Sequence, residues 1–69
     1  MKNDRQIQHD VLAEIEHDPN VPAEAIGVEV HHGVVKLAGQ ANDPAIKKSA
    51  ELAALRVEGV SNVVLDMGA

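Results

Sequence analysis

The stretch from residue 26 to residue 39 constrains the fold of this chain more than any other. Its first half places isoleucine or valine at every second position, which is the period expected of a strand with one dry face. Its second half, over residues 34–39, is another short apolar run. Gly33 stands between the runs and accepts the positive φ that tight turns need. The stretch predicts a β-hairpin with strands at 26–31 and 34–39, and His32, an unusual turn residue, leaves room for a loop longer than two residues.

A first helix is predicted upstream of the hairpin, over residues 4–17. Asn3 or Asp4 is suited to cap it, and Gln6 stands three residues after Asn3 as a capping-box partner. Pro19 ends the helix, because the residue before a proline avoids the helical region. One face carries apolar side chains at helical spacing, and these are Ile7, Val11 and Ile15.

A second helix is predicted over residues 44–58. Asp43 is its expected N-cap, and the proline that follows fits the first helical position. Gly59 is expected to end the helix as a left-handed cap, with Val60 packing back on Leu55. The inner face of this helix is rich in small side chains: Ile46, Ala50, Ala53, Ala54 and Val57.

These elements predict an α+β fold of two layers, in the order αββαβ, with both helices on one face of a three-stranded mixed sheet. The third strand is expected at 62–67, with Val63, Leu65 and Met67 on one face. We place strand two in the middle, antiparallel to strand one and parallel to strand three; strand one in the middle is the alternative. The expected core includes Val21, Val28, Leu37 and Ala54. The glycines and cap expected to be structural are Gly33, Gly39, Asp43 and Gly59.

Composition limits what such a chain does. Sixty-nine residues make one domain with one core. The absence of Phe, Tyr and Trp removes the stacking platforms of most single-strand nucleic-acid binders, and a net charge of −5 also argues against nucleic acid. No apolar run has the length of a membrane span, and the first residues do not form a signal peptide. A cytoplasmic location is expected if Met1 is the true start, and a periplasmic or envelope location if the domain is excised from a longer chain.

The sequence offers no pattern typical of an enzyme, a metal site or a cofactor. The two serines stand in no nucleophile motif, and the glycines form no phosphate loop. His31 and His32 are adjacent, so on a strand they are expected to point to opposite sides and not to share a metal ion. His9 and His17 are the only other histidines. We therefore predict a domain without catalysis and without a tight metal site.

The back of the second helix is the most suggestive surface. Leu52 and Leu55 lie roughly opposite Ala50, and Ala45 joins them. An exposed apolar strip on a surface helix often marks a contact with a partner or a membrane, while a benign surface leucine is the alternative. Basic residues stand beside the strip. The candidate binding residues are thus Lys47, Lys48, Leu52, Leu55 and Arg56.

Over nearly its whole length the chain resembles a BON domain, the module named for bacterial osmotic-stress and nodulation proteins. The matching positions in the first helix and loop are Asp4, Ile7, Val11, Ile15, Asp18, Pro19 and Val21. Those in the hairpin are Ile26, Val28, Val30, Gly33, Val35, Leu37 and Gly39. Those that follow are Ala50, Ala54, Val57, Gly59, Val60 and Val63. Two places depart from the pattern. His31-His32 stands where the family usually has a polar residue followed by Asp or Asn, directly before Gly33. Leu65 stands where a polar residue is common.

The resemblance implies an αββαβ fold and a non-enzymatic binding role without a cofactor. BON domains are suspected of binding phospholipid surfaces or of mediating contacts at the cell envelope, in connection with osmotic or envelope stress. The alternative is a protein-interaction module that pairs with other BON repeats or with itself. The chain is most similar to the first module of a multi-BON protein, and a fragment of such a protein is therefore expected.

Overall fold

The computed structural model describes residues 2–39 and 43–67 of the chain. Its helices are α1 (Asp4–His17) and α2 (Pro44–Leu55), and a short 3-10 turn covers Ala23–Ala25. The strands are β1 (Ile26–His31), β2 (Val34–Gly39) and β3 (Asn62–Met67). The connection that follows β2 lies outside the described residues at positions 40–42.

The three strands form one mixed sheet in the order β1-β2-β3. β2 pairs antiparallel with β1 and parallel with β3, so the predicted arrangement with strand two in the middle is confirmed and the alternative is wrong. Both helices cover the same face of the sheet. The α+β two-layer fold predicted from the sequence is therefore confirmed.

Local sequence explains where α1 begins. The Asn3 side chain accepts a hydrogen bond from the Gln6 N–H at 2.8 Å, and the Gln6 side chain accepts one from the Asn3 N–H at 2.9 Å. This reciprocal pair is a capping box, and it satisfies two donors that the first helical turn leaves unpaired. Asn3 is therefore the cap, which leaves the Asp4 carboxylate available for another contact.

The core lies between the helices and the sheet. Val11, Val35 and Leu37 are completely buried, and so are the three alanines on the inner face of α2. Because a methyl group is short, this alanine face lets the α2 backbone lie close to the strands. The other buried side chains are Ile7, Ile15, Val21, Ile26, Val28, Val57 and Met67.

The end of α2 differs from the prediction. The helix ends at Leu55, three residues before the predicted end at 58, and Arg56 is its C-cap. Gly59 has a φ of +99°, but it does not cap the helix. It occupies the third position of a separate turn, which the Val60 N–H closes on the Val57 carbonyl at 3.3 Å. A turn of this kind needs a positive φ at its third residue, so the glycine was correctly recognised as special but assigned to the wrong turn.

β3 also buries less than its pattern indicates. Val63, Leu65 and Met67 do share the inner face of the sheet, since they stand in register with Val35, Leu37 and Gly39. Only Met67 is buried, however, and Leu65 remains 37% exposed. β3 forms one edge of the sheet, so its side chains have a neighbouring strand on one side only, although most of the inner side chains of β1 at the other edge are buried.

The close approach of α2 to the sheet can be tested by enlarging one of its buried alanines. Ala54→Leu adds three carbon atoms where no space exists, so we expect the free energy of unfolding to fall by about 1–3 kcal/mol. Ala45→Leu, on the exposed side of the same helix, is the matched control and should change it by less than about 0.5 kcal/mol. Urea unfolding followed by far-ultraviolet circular dichroism measures both. Equal stability of the two variants would contradict the alanine contact.

Candidate functional site

The outer face of α2 carries two of the four exposed large apolar side chains among the described residues. Leu52 is 45% exposed and Leu55 is 50% exposed. A helix turns by 100° per residue, so these leucines lie about 200° and 140° around the axis from the buried Ala50. Both therefore point away from the core, and we call the face that they form with Ala45 and Lys48 the α2 strip.

The cations near the α2 strip are not equivalent. Lys48 is exposed and lies on the strip itself, at four residues from Leu52, and its Nζ is 3.9 Å from Glu51 Oε1. Lys47 is half-buried on the flank of the helix. Arg56 is exposed at the opposite end, about 13 Å along the axis from Lys47. The structure thus brings the leucines together with Lys48 and sets the other two cations at the ends of the strip.

Arg56 also faces a second feature, an open groove between α1 and the turn that follows α2. The groove is lined by charges of both signs, including Arg56 and Glu58. Lys2 Nζ lies 2.6 Å from Asp10 Oδ2 there. That hydrogen bond raises the pKa of Lys2 and lowers the pKa of Asp10. Since acids and bases are mixed along the groove and one pair is already formed, the groove does not select a ligand of one charge.

The hairpin turn is tighter than the sequence indicated. His32 and Gly33 form a loop of two residues with φ values of +53° and +81°, as in the primed turns that suit the twist of a hairpin. Asp4 holds this conformation: its carboxylate accepts from the His32 N–H at 2.9 Å and from the Gly33 N–H at 3.1 Å. Sequence reasoning missed this contact. The signal was the presence of two possible caps, Asn3 and Asp4, where a helix needs only one.

A third contact joins the same turn to the start of β3. The Ser61 N–H donates to the Gly33 carbonyl at 2.9 Å. A Cβ on Gly33 would come within 3.3 Å of both the Gly59 carbonyl oxygen and the Ser61 Oγ. The turn therefore links α1, the hairpin and the chain before β3, and it is a structural junction.

The two adjacent histidines do not point apart as predicted. Because His32 lies in the turn and not on the strand, its ring turns towards that of His31, with 4.2 Å between the ring centroids. Both rings are exposed and border a shallow concavity on the uncovered face of the sheet, together with Val34 and Val64. Among residues 2–39 and 43–67, no three His, Asp or Glu side chains come together as metal ligands do.

The geometry described so far is that of a small α+β domain with an exposed apolar strip on one helix. Comparison with protein-family models gives a match to the BON domain over residues 3–67. The chain belongs to the BON domain family. A comparison with curated protein sequences found no match. BON domains are non-catalytic binding modules, so the family agrees with a surface that binds and not with a catalytic centre.

Neither described helix of this BON domain is long and apolar enough to cross a membrane, since α1 has 14 residues and α2 has 12.

The junction at the hairpin turn yields a pH-dependent prediction. The His32 and Gly33 N–H groups hold the pKa of the Asp4 carboxyl below its ordinary value of 3.8. A carboxyl whose pKa is lower in the folded protein than in the unfolded chain stabilises the fold at pH values above its unfolded pKa. That stabilisation is lost as the pH falls through the pKa of the folded state. Asp4→Asn removes one of the two acceptors. We expect a lower melting temperature at pH 7, and a difference from the natural protein that shrinks as the pH drops below 3.8.

Glu16→Gln is the matched control for this experiment, because it neutralises an exposed carboxylate on the same helix. Thermal unfolding followed by circular dichroism between neutral and strongly acidic pH measures the three proteins. A melting curve for Asp4→Asn that coincides with that of Glu16→Gln at every pH would show that the turn does not depend on the carboxylate.

Proposed function

We propose that this BON domain associates with phospholipid membrane surfaces through the α2 strip, in a role linked to osmotic or envelope stress. The observation that carries the proposal is the exposure of Leu52 and Leu55 on the face opposite the buried alanines, with Lys48 beside them. A folded domain of this size gains nothing from solvated leucines on a helix where Glu or Lys would serve as well. A surface that is covered when the domain is at work explains them.

The arrangement on α2 is that of an interfacial helix face. Apolar side chains enter the boundary between headgroups and acyl chains, while cations beside them meet anionic headgroups. Each Lys or Arg close to an anionic surface contributes about 1 kcal/mol. Lys48, Lys47 and Arg56 are the cations in question.

Other charges oppose this attraction. The chain carries a net charge of −5, Glu51 already pairs with Lys48, and Glu58 is exposed just beyond Arg56. With two half-exposed leucines and three cations, one of which already pairs with an acid, a single domain should bind more weakly than a single acyl chain, whose binding is itself only marginal and reversible. The proposed association is therefore weak, dependent on salt, and strengthened when several domains act together.

A protein partner is the second candidate for the α2 strip, because the leucines fit an apolar protein surface equally well. Another BON repeat or a second copy of the chain would then cover the strip. The experiment below separates the two occupants. We propose for either case that the domain has no catalytic activity, in keeping with the family.

The test is co-sedimentation with vesicles that contain anionic phosphatidylglycerol and with vesicles of neutral phosphatidylcholine alone. Leu52→Glu replaces an exposed apolar side chain with an acid, so binding to anionic vesicles should fall roughly tenfold. The free energy of unfolding should stay within about 0.5 kcal/mol. Asn20→Glu is the matched control, since it adds the same charge at an exposed position away from α2, and it should bind nearly as the natural protein does.

The outcomes are distinct. A steep loss of melting temperature in Leu52→Glu would place Leu52 in the core and remove the strip. Unchanged vesicle binding would place the lipid contact elsewhere. Vesicle binding that is absent from the start, together with self-association that Leu52→Glu abolishes, would establish the protein partner in place of the membrane.

The cationic part of the site has a separate test. Lys48→Gln removes the one lysine on the strip itself, so binding to anionic vesicles should weaken about fivefold, the equivalent of about 1 kcal/mol. Binding to neutral vesicles should not change. The same loss on both kinds of vesicle would contradict an electrostatic role for Lys48.

A further inference from the structure

The two edge strands of the sheet, β1 and β3, differ in the hydrogen bonds that their outward main-chain groups make. At the β1 edge, the Gln8 side chain donates through Nε2 to the Val28 carbonyl at 3.1 Å. The Ile26 N–H on the same edge donates to the Ala23 carbonyl of the 3-10 turn. Gln8 and Ala23 thus satisfy two of the main-chain groups of β1 that point away from the sheet, so β1 is the less accessible edge.

These two bonds also fix which groups of β3 point outwards. Main-chain groups alternate along a strand, and Ile26 and Val28 use theirs away from β2. The neighbours of Ile26 and Val28 on β1 therefore direct their main-chain N–H and C=O groups to β2. The β2 residues in register with Val63 and Leu65 direct their main-chain groups to β3. In a parallel ladder, Val63 and Leu65 then present their own N–H and C=O groups to the open edge.

Only one of these outward groups has a partner among the described residues. The Val63 N–H donates to the Asn62 Oδ1 at 2.9 Å, a contact with the preceding side chain. The Leu65 N–H and C=O and the Val63 C=O make no main-chain hydrogen bond to the rest of the described chain. Exposed apolar side chains flank this edge on both faces, with Leu65 37% exposed on the inner face and Val64 45% exposed on the outer face.

We propose that two copies of this domain pair antiparallel along β3 and form a continuous six-stranded sheet. The two-fold axis passes between Val64 and the same residue of the second copy. In this register Val63 and Leu65 of opposite copies exchange their outward main-chain bonds, and the Val63 N–H gives up its contact with Asn62 Oδ1 to do so. This surface is separate from the α2 strip, and the proposal does not rest on membrane binding.

Charge and side-chain size select that register. With Val64 on the axis, Asp66 faces Asn62 of the other copy, so an acceptor meets an amide. With the axis at Asp66, the two carboxylates would face each other, which is unfavourable. With the axis at Leu65, Asp66 would face the apolar Val64. The register centred on Val64 also covers Leu65 with Val63.

The symmetry of the contact limits the size of the assembly. A two-fold pair along β3 uses that edge of both copies, so the contact closes as a dimer and does not propagate through β3 into a fibre. The contact is a single strand pair and is smaller than a standard stable interface. We therefore expect half-dimerisation only at a concentration of roughly 0.1–1 mM.

Cysteine scanning tests the register directly, because the natural chain has no cysteine. In the proposed dimer the Cα atoms of residue 64 lie about 4.5 Å apart across a non-hydrogen-bonded pair, within the range of a disulfide. The Cα atoms of residue 66 lie about 14 Å apart. Under mild oxidation, Val64→Cys should give covalent dimer at least tenfold faster than Asp66→Cys, its control on the same strand and face.

Sedimentation equilibrium on the natural protein completes the test. A concentration-dependent dimer supports the proposal, and Val64→Lys, which sets two cations face to face, should weaken it about tenfold. Leu52→Glu should leave the dimer unchanged. A monomer at about 1 mM, faster cross-linking at residue 65 or 66 than at 64, or dimerisation lost in Leu52→Glu would each overturn pairing along β3. None of these results depends on whether the domain binds vesicles.

Discussion

The close contact between the alanine face of α2 and the sheet is the constraint on which this small domain depends. With no aromatic side chain to fill space, the chain builds its core from aliphatic residues that bring two helices close to three strands. Ala50, Ala53 and Ala54 are completely buried on the inner face of α2. Because the contact between α2 and the sheet is made largely by alanines, it uses few large side chains, and the leucines of α2 are not needed in the core. Their place on the outer face is a consequence of how the inner face is packed.

The sheet, too, is only partly covered by the rest of the chain. α1 and the turn before β1 satisfy part of one edge through Gln8 and Ala23, while Val63 and Leu65 of β3 face the other edge. The domain therefore has two unlike candidate surfaces, a helix face with basic neighbours and an extended edge with unpaired main-chain groups. The two proposed contacts use different residues, so one would not compete with the other.

Most of the fold was predictable because it follows from patterns of short range. Alternation over residues 26–39, the cap at Asp43 and the helical spacing of Ile7, Val11 and Ile15 each depend on near neighbours. The misses came from ambiguous turns and from one contact distant in sequence. The end of α2 was misplaced because a positive φ at Gly59 suits more than one kind of turn. The rings of His31 and His32 pair because His32 lies in the turn. The role of Asp4 depends on a helix meeting that turn 28 and 29 residues away. The exposure of Leu52 was expected from helical spacing, whereas the open edge at Leu65 required the order of the strands.

The carboxylate of Asp4 has a consequence for how the chain assembles. The hairpin is a local structure and is able to form early, but its turn keeps two N–H groups without a partner until the first residues of α1 arrive from the far side of the sequence. Hairpin and helix are thereby coupled, because the N-terminal end of α1 reaches a turn that lies 28 and 29 residues further along the chain. Loss of the Asp4 carboxylate would leave both N–H groups of the turn to water, so one side chain of the helix sets how firmly the turn is held.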